Sequence, residues 1–235
     1  MYNYDIVLIR KNMINMVKVI VMNIIEIYNK YYLPESLQMH MLRVAACANL
    51  ILDNWNGPDV NSKEIIRVSL LHDMGNIVKI PEDFTDNQNF LEIRKKFFEI
   101  YGGNDHELNL KIGKNEGLSE NEIKILDGKR SRKNEQTLNS DCYEIKICAY
   151  CDQRVAPDGV LGLRERLEDV KVRYKDKPLS AWSDKNKSDK NKSEKLMECA
   201  LAIEKQVMDC CKLKKEDIND NSIKEYIENL KKYEI

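Results

Sequence analysis

The sequence predicts an all-α protein, a helical bundle with flanking helices at its N- and C-terminal ends. Two observations predict it: apolar residues recur at steps of three and four in segment after segment, and helix-start signals precede several of these stripes. With 235 residues and 43% hydrophobic content there is material for one good-sized core and a small appendage. The expected division is a main domain over 1–181 that includes the N-terminal helix, a polar linker or loop over 182–194, and a C-terminal helical appendage over 195–235.

Taken in order, Met1 to Arg10 reads as a short strand or an ordered extension. Met13, Val17, Ile20, Val21, Ile24 and Ile27 place an amphipathic helix over Met13 to Tyr28, packed on the core or on a second subunit. Pro34 to Asn54 carries Leu37, Met41, Val44, Ala45, Ala48 and Leu52 on one helical stripe. Asn56-Gly57-Pro58-Asp59 marks a turn, and Asn61 or Ser62 caps the next helix, whose apolar run Ile65 to Leu71 ends at Gly75. A loop with Pro81 leads to a helix from about Asn89 to Ile100, closed by Gly102-Gly103, and another follows from about Asp105 to Lys114. Ser119-Glu120-Asn121-Glu122 is a capping-box pattern. Lys129 to Ser140 reads as a polar surface loop, and Tyr143 to Val155 as a helix. Asp184 to Ser188 is repeated at once as Asp189 to Ser193, a tract too polar to bury a core. Beyond it Leu196, Ala200, Ile203, Val207 and Cys210 form one stripe, and Ile223, Tyr226, Ile227 and Leu230 another. These stripes either fold back over the core or form a homodimer surface, and Trp182 is positioned to anchor the return.

Polar residues on the buried faces carry the chemistry. His40 falls within the stripe of its helix, three after Leu37 and four before Val44. His72-Asp73 closes the apolar run of the next. Ile145, Cys148, Asp152 and Val155 follow one another at steps of three, four and three, which turns the Asp152 carboxylate inward. Burying imidazoles and carboxylates without partners is costly, and a divalent cation satisfies both kinds together. Each residue also has a blander reading. His40 suits a hydrogen-bonded core position, Asp152 a salt bridge to Arg43 or Arg154, and His72-Asp73 a favourable helix C-terminus.

In order, these residues read H…HD…D and resemble the HD-domain superfamily of metal-dependent phosphohydrolases. His40-Met41-Leu42-Arg43-Val44 is similar to the family's HxxRV, and Leu70-Leu71-His72-Asp73-Met74-Gly75-Asn76 to its LLHDIGK, with Asn76 where the family has Lys. Ala149-Tyr150-Cys151-Asp152-Gln153-Arg154-Val155 with Leu163-Arg164-Glu165-Arg166-Leu167 resembles the ADKRV…ERL stretch of small bacterial and archaeal members. The resemblance covers roughly residues 34 to 174. It implies an HD-domain helical bundle with one divalent metal (Mn, Fe, Co, Ni, Mg or Zn) on His40, His72, Asp73 and Asp152. Family members with two or three metals add histidines between the HD pair and the last Asp. Only His106 lies there, and it reads as an additional metal or phosphate ligand or as the cap of its helix.

The implied activity is hydrolysis of a phosphomonoester or phosphodiester through a metal-activated water, with a small phosphorylated compound, a nucleotide first, as substrate. Asp73 combines ligand and proton-transfer roles. Arg43, three residues after His40, and Lys79, in the loop after the HD helix, are the cations expected at the phosphate. Arg154 reads as a structural ion-pair partner, and Arg164 and Arg166 suit either role. The alternatives are a cyclic-nucleotide or oligonucleotide phosphodiesterase and a non-catalytic module that senses a nucleotide.

Charge is high but balanced, 38 basic against 39 acidic residues, so a long nucleic-acid partner is not expected. Lys18 and Glu26 interrupt the apolar N-terminal stretch well short of the ~20 residues of a spanning helix, so neither a membrane nor a targeting segment is expected. The seven scattered cysteines suit a reduced, cytoplasmic protein, and the CxxC spacing of Cys148 and Cys151 reads as small core residues.

Overall fold

Asn23 starts the first described helix and explains why it starts there. Its side chain accepts the Glu26 N–H at 3.0 Å while the Glu26 carboxylate accepts the Asn23 N–H at 2.8 Å, a reciprocal cap that needs an extended residue at the helix edge. The computed structural model describes residues 22–174, 182 and 192–235. The single helix expected over Met13 to Tyr28 is therefore corrected: helix α1 is Ile24–Lys30 and begins afresh at this cap. The part of that helix before residue 22, the extension Met1 to Arg10 and most of the repeated polar tract lie outside the described residues.

The following helices are α2 (Glu35–Asp53), α3 (Ser62–Leu71), α4 (Gln88–Tyr101), α5 (Asp105–Asn115), α6 (Glu120–Gly128), α7 (Asn134–Leu138), α8 (Tyr143–Arg154), α9 (Leu163–Tyr174), α10 (Lys192–Asp209) and α11 (Asp220–Leu230). A 3-10 turn over Met74–Lys79 joins α3 to the segment before α4. Among the described residues no strand forms, only isolated bridges, so the fold is all-α as the helical periodicity implied. No helix among them is long and apolar enough to cross a membrane.

Most boundaries follow local chemistry. Asn61 caps α3 by accepting the Glu64 N–H at 3.3 Å, and Ser119 and Glu122 form the box that opens α6. Gly102 ends α4 with φ +55°, a left-handed conformation in which a Cβ would be strained. The interval 129–140 departs from the expected surface loop: it holds a 3-10 turn (Ser131–Lys133) and α7, and buries Lys129, Asn134 and Thr137. Asn134 lies between its neighbours, donating to Gln153 Oε1 at 2.9 Å and to the Leu196 carbonyl at 3.1 Å.

Helices α2, α3 and α8 pack on one another at the centre, with α11 laid along α2 and α10 against α7 and α8. Met41, Ala45, Ile51, Ile65, Leu70, Leu71, Ile147 and Tyr150 fill the space between them. Both C-terminal stripes fold back onto this centre, since Ile203, Val207, Ile223 and Leu230 belong to the same core and Trp182 is buried in it. The two ends of the described chain also meet. Ile24 N–H donates to the Tyr233 carbonyl at 2.8 Å and Ile235 N–H to that of Met22 at 3.1 Å.

Candidate metal centre

The site is built where α3 runs out of helix. The last carbonyls of a helix have no partner within it and need one when buried. Three of them are met by side chains. Ser69 O accepts from His72 Nδ1 at 2.7 Å, Leu70 O from the Tyr28 hydroxyl at 2.7 Å, and His72 O from the Asn109 amide of α5. The same Asn109 accepts the Gly75 N–H at 3.1 Å, which pins the turn after His72-Asp73 to α5. Gly75 is needed at that contact, because a Cβ there would overlap the Asp105 carbonyl and come within 2.7 Å of the Asn109 nitrogen. The alternation of α3's buried face thus ends in a pair of polar side chains held from two other helices.

His72 is almost completely buried, and its bond to a carbonyl assigns the ring proton to Nδ1. Its Nε2 faces His40 Nε2 at 3.3 Å and Asp152 Oδ1 at 3.2 Å, and in the neutral ring it is the nitrogen left to ligate an ion. His40 Nε2 is 3.5 Å from Asp152 Oδ1 and 3.6 Å from Asp73 Oδ2. One ligating atom from each of His40, His72, Asp73 and Asp152 therefore lies within 4.8 Å of all the others. Donors roughly 2.1 Å from a shared ion stand about 3.0–3.4 Å apart, so this clustering and the nitrogen–oxygen donor set both fit a divalent metal. Asn76 donates to Asp73 Oδ2 at 2.6 Å and orients that carboxylate, the usual arrangement behind a metal ligand.

Lys129 is the residue that sequence reasoning missed. Its buried ammonium lies 2.8 Å from Asp152 Oδ2 and 3.5 Å from Asp73 Oδ1. Burial alone would raise both carboxyl pKa values and lower that of the lysine, but the mutual attraction wins. Asp152, with Lys129 and His72 beside it, is held well below the usual carboxylate range, Asp73 is lowered by His72 and Lys129, and Lys129 is raised by Asp152 and Asp73. A signal for it existed, because Glu122, Ile125, Leu126 and Lys129 continue one buried stripe past the end of α6. The cationic partner of Asp152 is thus Lys129, and neither Arg43 nor Arg154.

The expected phosphate-binding cations are engaged elsewhere. Arg43 donates to the Pro157 carbonyl at 3.0 Å and pairs with Asp220 at 3.6 Å, and Lys79 pairs with Asp105 at 2.6 Å. His106 is outside the four-residue group. Its Nε2 bonds Asp127 at 2.9 Å, and Asn104, not His106, caps α5. Arg154 is structural, as expected, but not through an ion pair: among the described residues its guanidinium donates to the Tyr150 hydroxyl and to the carbonyls of Leu161, Lys215 and Ile218. Arg166 bonds the Val155 carbonyl and Asp169. Arg164 lines a groove of about 750 Å³ with Leu161, Glu204 and Lys215, and none of the four clustered residues lines that groove. Cys148 and Cys151 are free and buried, with the Cys148 thiol pushed up to about 12 by burial, consistent with inert core thiols.

The fold and this group define an all-α protein with two histidines and two aspartates gathered in an arrangement able to hold a metal. Comparison of the chain with protein-family models, with curated proteins and with solved structures returns no match.

Proposed function

We propose that this chain is an HD-type metal-dependent phosphohydrolase that acts on a phosphomonoester or phosphodiester, with a nucleotide as the favoured substrate class. The observation that carries the reading is the convergence of His40, His72, Asp73 and Asp152 within 4.8 Å, from three separate helices or their ends, in the order H…HD…D. His72 Nε2, His40 Nε2, Asp73 Oδ2 and Asp152 Oδ1 are the atoms that would hold the ion. A divalent ion bound there would acidify coordinated water and neutralise charge on phosphoryl oxygens. The protein's own part is orientation: Ser69 fixes the His72 ring, Asn76 fixes Asp73, and Lys129 fixes Asp152 while adding positive charge beside the site. Asp73 and Asp152 side chains keep about a quarter of their surface exposed, at 25% and 23%, which leaves a small phosphorylated compound a way to approach.

A second reading, a nucleotide-sensing module without turnover, is favoured by one observation: Arg43 and Lys79 are both occupied by carboxylates away from the cluster. One experiment separates the two. Phosphate or nucleoside release is followed on mono-, di-, tri- and cyclic nucleotides and on generic phosphate esters, with Mn, Co, Ni or Mg, for wild type and Asp73→Ala. Metal-dependent turnover absent from the variant supports hydrolysis. Metal retention with no turnover of any compound favours sensing, and failure to bind any of Mn, Fe, Co, Ni, Mg and Zn rejects both readings.

A further inference from the structure

We propose that Lys129 limits this site to a single divalent ion, by placing an ammonium where a second cation would otherwise bridge the two carboxylates. The inference rests on the metal-dependent reading above and goes on to the number of ions the site accepts. Asp73 and Asp152 each have two oxygens, and the structure divides them. Asp73 Oδ2 and Asp152 Oδ1 face the imidazoles, while Asp73 Oδ1 and Asp152 Oδ2 face Lys129 Nζ at 3.5 and 2.8 Å. A second ion beside the first needs those outer oxygens, because two-metal sites hold their ions about 3.5–4 Å apart, within reach of shared ligands. Lys129 takes both, and its fixed positive charge repels a second dication from the same space.

Two further observations make this a built arrangement. The Lys129 side chain is only 8% exposed, and its backbone N–H closes α6 on the Ile125 carbonyl at 3.0 Å, so the ammonium is delivered by a helix end rather than by a mobile surface chain. The remaining imidazole of the protein is also withheld. His106 is bonded to Asp127 at 2.9 Å, and Asp127 is itself tied to Lys133 at 2.5 Å. The site thus lacks a nitrogen ligand for a second ion as well as the free oxygens.

The test counts Mn²⁺. The full chain is stripped with a chelator, equilibrated with Mn²⁺ and analysed by elemental analysis, with electron paramagnetic resonance used to detect spin-coupled pairs and circular dichroism used to check folding. Wild type and Lys129→Arg are expected to hold one ion per chain, while Lys129→Gln and Lys129→Glu take up a second and show a coupled signal. Two ions in wild type overturn the proposal and leave the metal-dependent reading standing. One ion in the folded Gln and Glu variants also overturns it, since the lysine would then not be what excludes the second. If neither of those variants folds, two ions in Lys129→Arg overturn it, and one ion in both wild type and Lys129→Arg supports it. No Mn²⁺ in wild type would overturn this inference, and the same result with Fe, Co, Ni, Mg and Zn would reject the metal-dependent reading as well.

Discussion

His72 Nδ1 donates to the Ser69 carbonyl at 2.7 Å, and this one bond sets which nitrogen of the buried ring faces His40 and Asp152. The Nδ1 proton goes to a helix carbonyl that needs a partner, and so Nε2 is the nitrogen turned to the cluster. Replacing His72 removes one of the four clustered side chains and strands a buried carbonyl. Groups behind the cluster are weaker tests of the same geometry. Asn76→Ala, which frees Asp73 Oδ2, is expected to lower Mn²⁺ affinity about 10- to 100-fold in calorimetric titration while the fold is kept. Unchanged affinity would mean that Asp73 Oδ2 is not a ligand.

The carboxylates also give the metal-free protein a defined pH response. Asp152 is held well below its ordinary value by Lys129 and His72 against the opposing effect of burial, and unfolding returns it to about 4. The unfolded chain therefore takes up a proton before the native one does. The stability this pairing contributes is present above about pH 4 and is lost as pH falls toward the folded value. Chelated wild type should exceed Asp152→Asn in urea midpoint at pH 7, and the gap should shrink below pH 4. A gap that is constant from pH 7 to 3 would contradict the assigned pairing.

Much of this site was legible in the sequence, for a physical reason. His40 and Asp152 are polar residues on apolar stripes, and His72-Asp73 ends one, so each had to face the interior and each had to find a partner there. Lys129 was hidden because Gly128 and the charged run after it look like the end of a helix in solvent. What buries that lysine is Asp152, 23 residues away on another helix. The direction of Arg43 was hidden for another reason. Three residues from His40 leave it about 60° round the helix, and Pro157 and Asp220, brought there by the later chain, decide which way it turns. The cut at Asn23 was in principle readable from Asn23 and Glu26, but the apolar spacing running through it suggested one continuous helix.

Tyr28 supplies a test of how the C-terminus of α3 is held. Its hydroxyl donates to the buried Leu70 carbonyl, and its ring is fully buried in the core. Tyr28→Phe keeps the packing and leaves that carbonyl without its donor, a loss of about 1–3 kcal/mol. Urea denaturation should show a lower midpoint with an unchanged slope, because the surface exposed on unfolding is the same. A midpoint equal to that of wild type would mean that water replaces the hydroxyl.

Gly75 tests the contact between the His72-Asp73 turn and α5. A Cβ at this position meets the Asp105 carbonyl and lies 2.7 Å from the Asn109 nitrogen and 2.8 Å from its Cβ, all parts of a helix start that cannot rotate away. Gly75→Ala must push α5 from the turn, weakening the two bonds that Asn109 makes to Gly75 and His72. Overpacking of this kind costs about 1–3 kcal/mol, and here the displacement should also reach His72 and Asp73 of the cluster. Gly103→Ala is the matched control, since its Cβ would meet nothing within 4 Å. The expected result is a lowered urea midpoint and weakened Mn²⁺ binding for Gly75→Ala, with Gly103→Ala close to wild type in both. Equal behaviour of the two variants would show that the turn and α5 are not in the contact described.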